Sequence, residues 1–109
     1  MELAELSARH PGVPLVCGHT GGGDWSLGIR AIRAQPDVYA DLGGGDPVYG
    51  EVEMAVRELG AGRVLYGSDA PPLTSLKPRA IKLIRDLKIS DDDNDKIFAR
   101  NAAKLLKLS

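Results

Sequence analysis

The chain has 109 residues, of which 43% are apolar and 27% charged, and this balance excludes an intrinsically disordered chain. A formal net charge of −1 gives no sign of the excess of basic residues that nucleic-acid-binding proteins carry. No apolar run approaches the length of a membrane-spanning helix, about 18 residues. We therefore expect one globular domain in the cytoplasm, with neither nucleic acid nor membrane as a partner. Its single cysteine, Cys17, excludes an internal disulfide and fits a reducing compartment.

Helical and strand-like segments alternate along the chain. Residues 2–9 have helical composition, and the His10-Pro11-Gly12 turn ends them. Apolar runs at 13–17, 38–42 and 63–68 predict three short, buried strands. Residues at helical spacing predict one helix after each strand: Trp25, Ile29 and Ile32; Val48, Val52, Ala55, Val56 and Leu59; Ala80, Ile81, Ile84 and Leu87.

Capping residues set the ends of these helices. Asp24 is a candidate N-cap for the first, Gly60 ends the second, and Pro78 lies in the first turn of the third. Ser90 opens a further helix, with Asp93 in the capping-box position that Glu usually holds. The chain finishes helically at 101–106.

The resulting order, α–β–α–β–α–β–α–α, predicts an α/β fold of right-handed βαβ units with a parallel sheet. Three parallel strands leave two edges with unpaired backbone groups and one sheet face without a cover. Three outcomes are physically reasonable: association with copies of the same chain, a part of a larger fold, or a small three-layer sandwich closed by the terminal helices.

Two polar residues follow predicted strands directly. His19 follows the first and Asp69 the third, at the end of the strand where parallel α/β folds place ligands and catalytic groups. Imidazole and carboxylate are both ligands for a divalent metal such as zinc. Each residue also has a structural interpretation, because His19 lies in a glycine-rich turn and Asp69 can cap the next helix.

Three segments together resemble a known family. Residues 13–22 (VPLVCGHTGG), 63–71 (RVLYGSDAP) and 101–106 (NAAKLL) are similar, in order and spacing, to segments of the amidohydrolase superfamily, specifically its amidohydrolase-2 branch. The resemblance covers the chain from about residue 10 onward. Gly-Ser-Asp-x-Pro with Asn-Ala-Ala-x-Leu-Leu is fairly specific, whereas Gly-His-x-Gly-Gly alone is not.

The resemblance implies a metal-dependent (β/α)8 barrel, of which this chain would carry strands six to eight and the C-terminal helices. The expected single domain then covers 1–109, with a lead-in helix and turn at 1–12, three βα units at 13–89 and C-terminal helices at 90–109. By the same resemblance His19 is a metal or substrate ligand. Asp69 is a metal ligand and a proton shuttle.

The resemblance also implies ligands that this sequence lacks. The family's first-strand His-x-His pair and fifth-strand histidine are absent, and the only other histidine, His10, precedes Pro11 outside any predicted strand. A catalytic zinc has three protein ligands and a water, so a single copy is expected not to turn over substrate and can lack bound metal.

The function we expect is therefore that of the C-terminal segment of a metal-dependent hydrolase in which water attacks an amide, ester or lactone. Its partners are a small-molecule substrate and either further copies of the chain or a missing N-terminal barrel half. A decarboxylase segment of the same branch and a non-catalytic, self-associating α/β module are the alternatives.

Other residues have structural interpretations. Asp41 can support the site, but local pairing near the end of its strand is favoured. Cys17 is interpreted as a small core residue, since no activating base is evident beside it. Asn101 is expected to be a structural cap or a tether to the last loop. The glycine clusters match no phosphate-binding fingerprint.

Overall fold

The computed structural model describes residues 2–18, 20, 25–43, 50–67 and 78–107. Helices and strands alternate as predicted. In chain order the elements are α1 (Glu2–Arg9), β1 (Leu15–Cys17), α2 (Trp25–Ile32), β2 (Val38–Asp41), α3 (Glu51–Leu59), β3 (Val64–Leu65), α4 (Pro78–Arg85), α5 (Asp91–Asp95) and α6 (Asn101–Leu105). None of the helices in these ranges is long and apolar enough to cross a bilayer.

The three strands form one parallel sheet in the order β1-β2-β3, which confirms the predicted α/β class. Cys17 pairs with Ala40, and Ala40 pairs with Val64, so these three positions form one row across the sheet. Asp41, the last residue of β2, pairs with Leu65. All three strands therefore end at the same edge of the sheet.

One face of the sheet is buried and the other is partly open. The row of Cys17, Ala40 and Val64 is buried against the helices, together with Ile29 and Val52. Successive strand residues point to opposite faces, so Val16, Tyr39, Asp41 and Leu65 lie on the other side. Val16 is 48% exposed there. The sheet thus has the one incompletely covered face that was expected of three parallel strands.

Local signals explain most element ends. Gly60 ends α3 with a φ of +83°, a conformation that glycine adopts without strain, and its N–H donates to the Val56 carbonyl over 2.9 Å. The Ser90 side chain accepts from the Asp93 N–H over 3.1 Å, which confirms the predicted N-cap. The helix α4 begins at Pro78, also as predicted. Asp24 and Val48 lie outside the described residues.

The third strand is shorter than predicted. The apolar pattern covers residues 63–68, but β3 contains only Val64 and Leu65. Arg63 belongs instead to a 3-10 turn over Ala61–Arg63, in which its N–H donates to the Gly60 carbonyl. Beyond the strand, the Tyr66 N–H donates to the Ile97 carbonyl over 2.9 Å, so this backbone pairs with the C-terminal helices rather than with a strand.

The C-terminal helices form one continuous segment. A single π-helical turn, Lys96–Arg100, joins α5 to α6. Ile97 within this turn is buried, and Phe98 lies 5.5 Å from Tyr66 between ring centroids. The turn thus packs against the end of β3.

Candidate active site

Both predicted ligands follow, in the sequence, strands that end at the carboxyl edge of the sheet. Gly18 and Thr20 flank His19 after β1, and Gly67 precedes Asp69 by two residues after β3. Since β2 separates the outer strands, their ends lie two strand spacings apart, roughly 10 Å. His19 and Asp69 themselves lie outside the described residues. Their convergence on one ion therefore remains a prediction.

Asp41 lies at the centre of this edge. Its Oδ1 accepts from the Gly43 N–H over 3.0 Å, so the carboxylate is hydrogen-bonded to the backbone that directly follows β2. A Cβ built on Gly67 would lie only 2.5 Å from the same Oδ1, which means that the carboxylate packs directly on the backbone after β3. The favoured interpretation of Asp41, local pairing, is confirmed by the Gly43 contact. The contact with Gly67 is non-local and was not predicted.

Thr20 connects the loop after β1 to the same residue. Its hydroxyl donates to the Asp41 backbone carbonyl over 2.6 Å, and the side chain is fully buried. Its φ of +52° is unusual for a β-branched residue and indicates a local constraint next to His19. Sequence reasoning missed Thr20, although its place directly after His19 in a glycine-rich turn was a usable signal.

Cys17 lies at the same edge but is unsuited to chemistry. It is only 4% exposed. Burial raises the pKa of its thiol, and the Asp41 carboxylate raises it further. The thiolate, which is the metal-binding and nucleophilic form, is therefore disfavoured. This confirms Cys17 as a core residue.

Two side chains hold β3 in place by donating hydrogen bonds to distant backbone carbonyls. The Arg63 guanidinium donates to the carbonyl of Val38 over 2.9 Å, to that of Ile32 at the end of α2 over 2.8 Å, and to that of Gln35 in the following turn over 2.6 Å. Burial lowers the pKa of Arg63, although a guanidinium stays charged at any physiological pH. Sequence reasoning assigned Arg63 no role.

Asn101 is the second of these side chains. Its buried Nδ2 donates to the carbonyls of Ala61 and Val64 over 2.6 and 2.8 Å. Among the described residues, the predicted tether joins Asn101 to the start of β3. Arg63 and Asn101 together fix the strand that leads to Asp69.

The donor chemistry of this edge fits a divalent metal in part. Within the described ranges, no three His, Cys, Asp or Glu side chains are close enough together to hold an ion. The predicted ligands, His19 and Asp69, lie outside the described residues, and their side chains are of the types that bind zinc. A full catalytic site needs one further protein ligand.

Comparison with known proteins identifies the family. The sequence profile of the family described as amidohydrolase matches residues 1–108, so this chain belongs to the amidohydrolase family. No curated protein matches the sequence.

Solved structures agree with this fold. An amidohydrolase from Bifidobacterium longum subsp. infantis superimposes with a TM-score of 0.73 at 24% identity, covering 99% of this chain and 45% of its own. A zinc-bound amidohydrolase from Burkholderia multivorans superimposes with a TM-score of 0.77 at 20% identity, and the match covers 99% of this chain and 49% of the other. 5-Carboxyvanillate decarboxylase from Sphingomonas paucimobilis superimposes with a TM-score of 0.67 at 18% identity, and the match covers 98% of this chain and 37% of the other. The chain thus spans about half the length, or less, of these structures.

Proposed function

We propose that this chain supplies His19 and Asp69 to the divalent metal site of an amidohydrolase-type hydrolase. The observation that supports the proposal is the parallel order β1-β2-β3, because the two residues follow strands that end at the same edge of the sheet. Family membership over residues 1–108 supports it, as does the zinc bound in the B. multivorans structure.

The chemistry divides between the two side chains and the ion. When bound, a divalent metal makes water more acidic and polarises a carbonyl group. His19 would hold the ion through a ring nitrogen. The Asp69 carboxylate would take the proton that the attacking water loses and return it to the leaving nitrogen or oxygen. The substrate class is an amide, an ester or a lactone.

The remaining ligands would come from a second polypeptide segment. We propose that residues 1–109 are one partial-barrel domain, equivalent to strands six to eight of a (β/α)8 barrel with its C-terminal helices, and that a complementary half covers its open face. The similar structures are about twice as long as this chain or longer, which supports a complement of that size.

An apolar groove marks where this complement would dock. The groove has a volume of about 360 Å³ and is lined by Pro14, Val16, Leu65, Ala102, Leu105 and Leu106. Val16 on the open face and Leu106 at the end of α6 are 48% and 70% exposed. Complete burial of a fully exposed Val or Leu contributes about 1.5–3 kcal/mol, and covering these partly exposed side chains contributes a share of that, which favours association.

A decarboxylase of the same branch is the second candidate. The fold similarity to 5-carboxyvanillate decarboxylase favours it. The metal site would be the same, but the substrate would be an aromatic acid. The non-catalytic alternative is a stable self-associated α/β module, for which the exposed groove is the supporting observation.

Metal analysis of the purified 109-residue chain tests the proposal. We expect one Co²⁺ or Zn²⁺ per chain, or per assembly with a complementary half, and loss of this metal in His19→Ala and in Asp69→Ala. His10→Ala and Asp86→Ala are matched controls, because both residues are exposed and lie away from the carboxyl edge. A metal-free chain that forms a stable dimer with an intact fold would instead establish the non-catalytic alternative.

Substrate assays of the metal-loaded assembly separate the two enzymatic candidates. Hydrolysis of aryl esters or lactones, lost in Asp69→Ala, supports the hydrolase. Release of carbon dioxide from hydroxybenzoates, without ester or lactone hydrolysis, would replace it with the decarboxylase.

A further inference from the structure

Asp41 contacts the chain after all three strands. Its backbone carbonyl accepts from Thr20, one residue after His19. Its carboxylate accepts from the Gly43 N–H in the loop after β2 and packs against Gly67, two residues before Asp69. Within the described ranges, Asp41 is thus the point where the two ligand-bearing loops meet the central strand.

We propose that Asp41 is a positioning residue of the metal site, which fixes the backbone at Gly67 and thereby the approach of Asp69 to the ion. This proposal rests on the proposed function. Asp41 would act through the loop, because its Oδ1 both accepts from the Gly43 N–H and lies against the Gly67 backbone.

The two glycine contacts explain why a short carboxylate suits this position. A Cβ on Gly43 would lie 3.2 and 3.3 Å from the two carboxylate oxygens, and a Cβ on Gly67 would lie 2.5 Å from Oδ1. The carboxylate therefore fills the space that both glycines leave open. Removing it would leave Gly67, and the loop that follows, without this support.

Turn formation alone would account for the Gly43 hydrogen bond but not for the other contacts. An aspartate that bonds the N–H two residues onward is a common local motif. The packing on Gly67 spans two different strands, and the Thr20 hydroxyl reaches the same residue from a third. These non-local contacts distinguish a positioning residue from a simple turn residue.

Metal affinity of Asp41 variants tests the proposal, with Co²⁺ as the probe and its visible absorption as the readout. We expect Asp41→Ala to weaken binding at least tenfold and to alter the Co²⁺ spectrum. Asp41→Asn should bind within about threefold of the natural chain, because the amide keeps an oxygen that can accept from Gly43. Val52→Ala is the control: it destabilises the core away from the edge and should leave affinity and spectrum unchanged.

Three outcomes are decisive. Weak binding by Asp41→Ala, rescue in Asp41→Asn and no change in Val52→Ala support the positioning role. Unchanged affinity and spectrum in Asp41→Ala overturn it while leaving the proposed function intact. If the natural chain and its assembly take up no Co²⁺ that depends on His19 and Asp69, the proposed function fails and the positioning role falls with it.

A double-mutant cycle tests the underlying contact without metal. Gly67→Ala should lower the thermal midpoint of the natural chain, because its Cβ would clash with the Asp41 carboxylate, and should lower it less in an Asp41→Ala background. Gly62→Ala is the matched control, since a Cβ there meets nothing within 4 Å. Equal effects of Gly67→Ala in both backgrounds would contradict the geometry on which the proposal depends.

Discussion

Asn101 donates a hydrogen bond to the carbonyl of Val64, 37 residues earlier in the chain, over 2.8 Å. The same amide nitrogen donates to the Ala61 carbonyl, so one buried side chain joins the last helix to the start of β3. The strand that leads to Asp69 is therefore held by the C-terminal end of the chain.

The first prediction concerns this amide. Asn101→Ala should lower the free energy of unfolding by about 2 kcal/mol, because two buried carbonyls lose their donor. Asn101→Asp should cost more, since a carboxylate of the same shape cannot donate to them. Chemical denaturation measures both, and Asn94→Ala in α5 is the control, with an expected change within about 0.5 kcal/mol. A stable Asn101→Asp variant would contradict the observed hydrogen bonds.

The second prediction concerns the guanidinium of Arg63. Arg63→Lys should lower the free energy of unfolding by about 2 kcal/mol, although the charge is kept. A single ammonium group cannot donate at once to the carbonyls of Val38, Ile32 and Gln35, as the guanidinium does. The exposed Arg57→Lys is the matched control and should have almost no effect. Equal midpoints for the two variants would show that charge alone matters at position 63.

The third prediction concerns pH. Burial raises the pKa of Glu51, so the folded state binds this proton more tightly than the unfolded state. The stability contribution of Glu51 is therefore most favourable at acidic pH, and it declines as pH rises from the unfolded pKa through the folded pKa. Glu51→Gln should then be more stable than the natural chain at about pH 7, with the advantage disappearing at low pH.

Glu53→Gln is the control for this experiment. Both residues lie in the first turn of α3, but Glu53 is exposed, so its variant reports only the loss of a charge near the helix N-terminus. Thermal melts across the acidic range measure the difference. Parallel pH profiles for the two variants would rule out the effect of burial.

The fourth prediction concerns the apolar groove. Leu106→Lys or Val16→Lys should abolish association with a complementary barrel half, measured by sedimentation velocity of the mixed chains. Both side chains are already substantially exposed, so unfolding of the isolated chain should change by no more than about 0.5 kcal/mol. Leu27→Lys is the control, because Leu27 is 62% exposed but does not line the groove. If the chain instead forms a homodimer, and both Leu106→Lys and Val16→Lys disrupt it, then the groove binds a second copy of this chain.

Much of the fold could be predicted because its signals are local. The spacing of Ile29 and Ile32, and of Val52, Ala55 and Leu59, marks buried helix faces within a few residues. Gly60 and Ser90 end or begin helices through their own backbone and side-chain chemistry. The strand β3 is shorter than predicted because Tyr66 continues the apolar pattern while its N–H donates to the Ile97 carbonyl and not to a strand.

The amino-acid sequence by itself determined the alternation of helices and strands, the parallel sheet and the family, because these follow from periodicity and short motifs. Only the tertiary structure decided that Asp41 packs on Gly67, that Thr20 bonds Asp41, and that Asn101 and Arg63 hold β3. Each of these contacts joins residues about 21 to 40 positions apart, and spacing along a chain carries no information about which distant side chain fills a given space.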